Sequence, residues 1–385
     1  MIIEYAGKKT EQQILTETPL AILKRIAGTG ASKNMLIQGN NLLVLDALAN
    51  DDNLRGKIGL VYIDPPFATN TQFRIGVERT STISQSNSDA VAYADTMLGE
   101  NYLEFLRERL IFLRELMSPS ASIYLHIDYK IGHYVKVIMD EIFGKRNFRN
   151  DITRIKCNPK NFQRKAFGNI KDLILFYSKS DNPTWNDPSI PLSEDDIERL
   201  FRKIDKDGRR YTTVPLHAPG ETTNGKTGQT WKGLKPPKGR HWRTAPSLLD
   251  ELDQQGLIEW SATGVPRKKI FADQRENKKM QDIWDFKDPQ YPSYPTEKNL
   301  ELIKFILQAS SNAGELVLDC FCGSGTTLVA AQALGRSWIG IDESPHAIET
   351  IRKRLSQIPA DLFTGTVEYE FLIEQTTVTE LHNEQ

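Results

Sequence analysis

Along the first 180 residues, compact apolar runs alternate with stretches in which apolar side chains return every three or four positions. Residues 35–38 and 58–63 are runs of the first kind, and 122–127 and 172–177 repeat the pattern, so each is predicted as a strand. Leu42, Leu43, Leu45 and Leu48 fall at helical spacing. Tyr102, Phe105, Leu106, Leu110, Leu113, Leu116 and Met117 stripe one side of a longer helix. Ile131, Val135, Ile138, Met139 and Ile142 stripe another, stopped by Gly144 in a cap position. Between 68 and 99 the chain is rich in Thr, Ser and Asn, and a mobile loop is the expectation there. From 182 to 281 long periodic runs give way to Pro, Gly, charge and Trp. Alternation resumes with a helix over 300–307, a strand over 316–320, a helix over 327–334 and a strand over 337–342. Residues 367–373 alternate like an edge strand, and the tail after Pro359 carries six acidic residues and no Lys or Arg.

Strands alternating with helices on both sides of an irregular stretch predict an α/β fold: a mostly parallel sheet with helices on both faces, interrupted by an inserted module. The expected divisions are 34–180, 182–283, 284–358 and an acidic tail at 359–385.

Composition narrows the class. Hydrophobic residues make up 39% of the 385 and charged residues 26%, which fits a soluble globular protein. No apolar run nears the roughly 18 residues that span a bilayer, and the first ten residues lack a signal-peptide core. A cytoplasmic protein without a membrane partner is expected. Cys157, Cys320 and Cys322 suit neither a disulfide framework nor a zinc site, so no metal is expected. A net charge of −1 decides nothing, but its distribution does. Residues 226–243 hold Lys226, Lys232, Lys235, Lys238, Arg240 and Arg243 with no acid, interleaved with Trp231, His241 and Trp242. Arg267, Lys268, Lys269, Arg275, Lys278 and Lys279 form a second basic stretch. Any one of these lysines reads as a solvated surface residue, whereas the cluster with its aromatics reads as a nucleic-acid surface.

Two motifs carry candidate chemistry. Asp64-Pro65-Pro66-Phe67 sits where a strand ends, and open α/β sheets bind ligands at such ends. The prolines end the strand and stiffen the turn, aiming the Asp64 carboxylate and the Pro65 carbonyl in fixed directions. Two acceptors and an aromatic suit a flat heteroaromatic amine. The tetrapeptide by itself reads equally well as an Asp-Pro turn with Phe67 in the core. The second motif, from Asp319 through Cys320, Phe321, Cys322, Gly323, Ser324, Gly325 and Thr326 to Thr327, runs from a strand through a glycine turn into a helix. Glycines admit close backbone approach, and the helix start offers unpaired amides. Asp342 and Glu343 follow about twenty residues on, where an acid meets ribose hydroxyls. A dinucleotide site is the alternative, but Leu328 occupies the position of its third glycine. No Gly-Lys-Ser/Thr follows to make a P-loop. An acid ahead of the turn suits a cationic amino-acid ligand better than a pyrophosphate.

Together these motifs resemble the β group of DNA amino-methyltransferases, in which the catalytic motif precedes the insertion and the cofactor motif follows it. Tyr294-Pro295-Thr296-Glu297-Lys298 resembles the short motif ahead of the cofactor strand, and the likeness spans roughly 34–180 and 284–357. The resemblance implies S-adenosylmethionine as cofactor, held by Asp319, Phe321, Gly323, Ser324, Gly325, Thr326 and Thr327, with Asp342 on the ribose. Pro295 and Lys298 would hold its methionine portion, Lys298 facing the carboxylate. Asp64, Pro65, Pro66 and Phe67 would hold a base flipped out of duplex DNA, and an Asp heading the tetrapeptide implies N6 of adenine rather than N4 of cytosine. The insertion would read DNA through Lys232, Lys235, Lys238, Arg240, Trp242, Arg243, Lys268 and Lys269. The resemblance leaves room for RNA or a protein amide as substrate, for a binding subunit without activity, for a homodimer and for a cognate restriction enzyme. A stand-alone enzyme is the expectation at this length.

Overall fold

The computed structural model describes residues 2–66, 71–75, 80–81, 90–95, 99–159, 165–275, 277–290, 297–358 and 367–376. The chain divides into two compact units, one made of 1–188 with 281–385 and the other of Ser189–Met280.

The first unit is built on a ten-stranded sheet. Its order is Ala21–Ala27, Glu370–Thr376, Met35–Gln38, Ser337–Asp342, Leu316–Asp319, Ile58–Ile63, Met117–Ile127, Lys171–Ser178, Phe148–Ile155 and Ile283–Asp285. From Glu370–Thr376 across to Met117–Ile127 every neighbour is parallel. Lys171–Ser178 runs antiparallel to both its neighbours, as does Ala21–Ala27 to its single one. The mostly parallel sheet expected from the sequence is present.

Strand alternation covers both faces. Val61, Ile63, Ile123, Leu125, Ile339 and Ile341 turn into a core shared with helices Asn41–Ala49, Glu100–Leu116 and Gly132–Phe143. Intervening residues serve the other face. The Tyr124 hydroxyl meets Ser310 at 2.7 Å on helix Leu300–Ser310, and the Trp338 indole donates to Gln332 at 3.0 Å on helix Thr326–Ala333.

Three sequence expectations change. The 367–373 strand is not at the edge, because Ala21–Ala27 pairs outside it and Arg25 bonds the buried Glu370 at 2.9 Å. Phe148–Ile155, unpredicted, is a strand whose polar residues hide the pattern. Within the stretch read as a loop, Thr71–Ile75, Thr80–Ser81 and Ala90–Asp95 form a small antiparallel sheet. The rest of that stretch, from 67 to 98, lies outside the described residues.

The second unit holds a four-stranded antiparallel sheet of Lys203–Ile204, Arg210–Pro215, Pro266–Phe271 and Ile258–Trp260. Leu216, Trp231, Trp242, Leu249 and Ile258 make its own small core. Its two ends pair with each other, Ser189 opposite Lys279, so the module closes on itself where it leaves and rejoins the main chain path.

Among the described residues no helix is long and apolar enough to cross a membrane.

Candidate active site

Chain reversal in the sheet creates the site. From Leu316–Asp319 the next crossover leads to Ser337–Asp342 on one side, while from Ile58–Ile63 it leads to Met117–Ile127 on the other. These two strands are parallel neighbours, with Leu318 opposite Val61, so both end at the crevice of a topological switch point. Asp64 and Asp319 therefore meet at adjacent strand ends although far apart in sequence. They feel each other: the Asp64 charge helps raise the Asp319 carboxyl.

Asp64 is held on one oxygen only. Lys298 Nζ lies 2.5 Å from Oδ2. Oδ1 is buried and accepts no hydrogen bond among the described residues. Lys298, expected to face the cofactor's carboxylate, pairs here with the strand-end acid, as suits a cation placed among converging carboxylates. Pro65 is buried and Pro66 half-buried beside Asp64. Phe67 and Pro295 lie outside the described residues.

Asp319 is 3% exposed, and burial pushes its pKa up to about 7 against hydrogen bonds from Thr327 and from the Phe321 amide at 3.0 Å. Past it the chain turns through Gly323 at φ 47° and Gly325 at φ 78°, both left-handed. The Gly323 amide donates to Asp342 Oδ2 at 2.8 Å, and Ser344 N caps the other oxygen at 2.9 Å, so Asp342 ties the turn to the next strand end. Burial raises the Asp342 pKa. Glu343 is exposed. Ser324, Thr326 and Thr327 are buried, the first two bonded to each other at 3.1 Å. Arg354 donates to the Ser324 carbonyl at 3.0 Å and pairs with Glu297 at 3.0 Å, joining the turn to the segment that carries Lys298. Phe321 packs 6.0 Å from Phe105. Cys320 and Cys322 are buried, and burial raises both thiols, so they pack rather than react.

Sequence reasoning missed a second layer. Asn41 donates to the Cys320 carbonyl at 2.7 Å and accepts from Arg109 Nε at 2.6 Å. The Arg109 guanidinium lies 3.5 Å from the centre of the Phe105 ring, with its pKa lowered to about 10 by burial. His126, Asp172 and Arg154 are buried behind Asp64. For His126 the signal available was a polar residue inside an otherwise apolar strand run.

In the second unit the basic residues separate into two kinds. Lys235, Lys238, Arg240 and Arg243 are exposed. Lys232 is paired with Asp253, Lys269 with Asp205 at 3.1 Å, and Lys268 is half-buried in its strand. Trp242, expected to meet DNA, is 3% exposed and donates to the Gln229 carbonyl at 2.9 Å, because this small unit spends its tryptophans on its own core.

A family model described as DNA methylase, for N6 and N4 enzymes, matches residues 58–353. The type II methyltransferase M.EcaI of Enterobacter cloacae is 41% identical over 363 residues, covering 92% of this chain and 77% of that protein. The Mod subunit of the type III restriction-modification enzyme StyLTI, from Salmonella typhimurium, is 25% identical over 369 residues; the match covers 86% of this chain and 55% of that subunit, so the chain spans little more than half its length. Among solved structures, the M1.HpyAVI–SAM complex is 17% identical, with a TM-score of 0.41, covering 83% of this chain and 100% of that one.

Proposed function

This chain belongs to the N6/N4 DNA methylase family, and from that premise we propose that it transfers a methyl group from S-adenosylmethionine to N6 of an adenine flipped out of duplex DNA. The single observation that carries the reading is the meeting of Asp64 and Asp319 at neighbouring strand ends, with Asp64 Oδ1 left as a buried acceptor.

The residues suit the cofactor. Asp319, resisting ionisation in its burial, offers a place that a ligand ammonium would stabilise. Gly323 and Gly325 allow the backbone close to a ligand, and the Thr326–Ala333 helix start follows at once. When bound, S-adenosylmethionine supplies an electrophilic methyl on a sulfonium.

The amine of adenine is a poor nucleophile because its lone pair is delocalised into the ring. Asp64 Oδ1 and the Pro65 carbonyl would accept its two hydrogens and draw nitrogen towards tetrahedral geometry. The cofactor would supply the methyl to this nitrogen, and the surplus proton would pass from nitrogen to solvent. The protein contributes position and negative charge where nitrogen becomes cationic. Phe67 is the proposed stacking platform, since a stacked base cannot reach such a pocket. Adenine rather than cytosine is proposed because Asp heads the tetrapeptide. Lys235, Lys238, Arg240 and Arg243, all exposed, are proposed to contact DNA, within a module devoted to target recognition.

Asp64→Ala should abolish methylation while S-adenosylmethionine still binds. Nucleoside mass spectrometry of plasmid exposed to either enzyme checks this and names the base: N6-methyladenine is expected from the native chain and none from the variant. Normal methylation by the variant removes Asp64 from the reaction, and N4-methylcytosine from the native chain overturns the adenine assignment.

A further inference from the structure

His126 stands behind Asp64 and is wholly buried. Its strand runs beside Ile58–Ile63 with Ile63 opposite Leu125, which brings the following residue, His126, level with Asp64. Nδ1 lies 3.0 Å from the Tyr62 hydroxyl and 3.9 Å from Asp64 Oδ1. Nε2 lies 3.4 Å from Asp172 Oδ2. Asp172 is anchored in turn: Lys156 bonds its Oδ1 at 2.6 Å, and Arg154 reaches it at 3.9 Å while bonding Asp288 and the Phe286 carbonyl.

This surrounding fixes the ring's proton. Burial works to raise Asp172, yet His126 and Lys156 outweigh it and hold the carboxyl well below the usual carboxylate range. Burial lowers His126 below the ordinary histidine value in spite of Asp172 and Asp64. An ionised carboxylate at Nε2 selects the neutral tautomer protonated there, so Nδ1 is an acceptor filled by the Tyr62 hydroxyl. The ring edge nearest Asp64 thus presents a lone pair. Oδ1 receives nothing from it, and a buried acceptor left open costs on the order of 1–3 kcal/mol, which an incoming N–H recovers.

Resting on the reading of Asp64 as acceptor for the target amine, we propose that His126 is a positioning residue for methyl transfer: protonated on Nε2 alone it keeps Asp64 Oδ1 open, and a second proton on Nδ1 closes that oxygen by giving it an imidazolium partner. Among the described residues, the charged and titratable groups shown facing the ring are Tyr62 and Asp64 from one strand, Asp172 and Arg154 from the next two, and Lys298 from the segment before helix Leu300–Ser310.

Histidine-labelled nitrogen NMR of the full chain tests this without DNA, the His126 signals being assigned by their loss in His126→Gln. The expected spectrum near neutral pH is that of a neutral ring protonated on Nε2; a proton on Nδ1, or a cationic ring, overturns the proposal. Kinetics at saturating cofactor and DNA give the second test. The native kcat should fall in acid in step with the His126 titration, and His126→Gln should lose that limb. Its kcat at neutral pH should drop by about tenfold with cofactor Kd changed by no more than about twofold. An acid limb unchanged in the variant overturns the role. A native chain that methylates no DNA overturns the functional reading and this role together, whereas normal methylation with the wrong tautomer overturns the role alone.

Discussion

Burial carries the Asp319 carboxyl up to about 7, and the nearby charges of Asp64 and Asp342 push the same way. Its folded value lies above the ordinary 3.8, so the protonated form is the one folding favours. That stability is present in full below the unfolded value and is lost as pH rises through about 7. Above that pH the folded protein holds an ionised, buried carboxylate that a cationic ligand relieves. Affinity for S-adenosylmethionine, taken relative to Asp319→Asn, should therefore rise with pH by up to about tenfold per unit until it levels off. Calorimetric titration of both proteins across that range checks it, since the cofactor's own ammonium titrates alike in each and cancels in the ratio. Parallel curves would remove Asp319 from the cofactor's neighbourhood. The sequence made Asp64, Asp319 and the glycine turn readable because each belongs to a contiguous motif at a strand end. His126, Asp172, Arg154 and Arg109 were not readable. The meaning of each comes from a partner distant in sequence. Trp242 was misread because aromatics interleaved with Lys and Arg describe a nucleic-acid surface and a small module's core equally well.

At the scale of elements, periodicity was a good guide wherever one face of a helix or strand meets the core. Gly132–Phe143 ends at Gly144, and Ser337–Asp342 has the limits its apolar run suggests. It failed where charge is buried by pairing. Phe148–Ile155 includes Arg149, Asn150, Asp151 and Arg154, and the last is fully buried only because Asp172, Asp288 and the Phe286 carbonyl surround it. The glycine turn offers the sharpest test of an element. Gly325 caps helix Thr326–Ala333 at φ 78°, and a Cβ there would fall 2.7 Å from Ile351 Cγ1 on helix Pro345–Ser356. The left-handed backbone alone costs a non-glycine residue about 1–2 kcal/mol. Gly325→Ala should therefore lower stability by at least that much in urea unfolding, and weaken cofactor binding because the turn and the helix shift together. A variant as stable as the native chain would mean that the turn is not held in this conformation.

Charge divides the whole molecule unevenly. Ser189–Met280 carries 18 Lys and Arg against 13 Asp and Glu, whereas the remainder carries 31 against 37. A net charge near zero therefore conceals a basic module of about a quarter of the chain, with the acidic remainder holding the strand-end carboxylates. Phosphate attracts the first and is repelled by the second, so affinity for DNA should reside in exposed cations of the module rather than in the chain's average charge. Which cations matter depends on their partners. Lys232, Lys235 and Lys238 are all exposed, but Lys232 is engaged by Asp253 and sits over the Trp231 and Trp260 rings. Replacing both Lys235 and Lys238 with Gln should weaken DNA binding and flatten the logarithmic dependence of affinity on salt, by about 0.9 for each phosphate that is no longer neutralised. Lys232→Gln should instead lower the module's stability and leave the salt slope nearly unchanged, because its charge is already spent on Asp253. Fluorescence anisotropy of a labelled duplex across a salt series separates the two. If the double variant keeps the native slope while Lys232→Gln flattens it, an ion pair with a neighbouring acid is the wrong guide to which lysines touch the backbone, and the DNA-facing surface has to be sought among the paired residues.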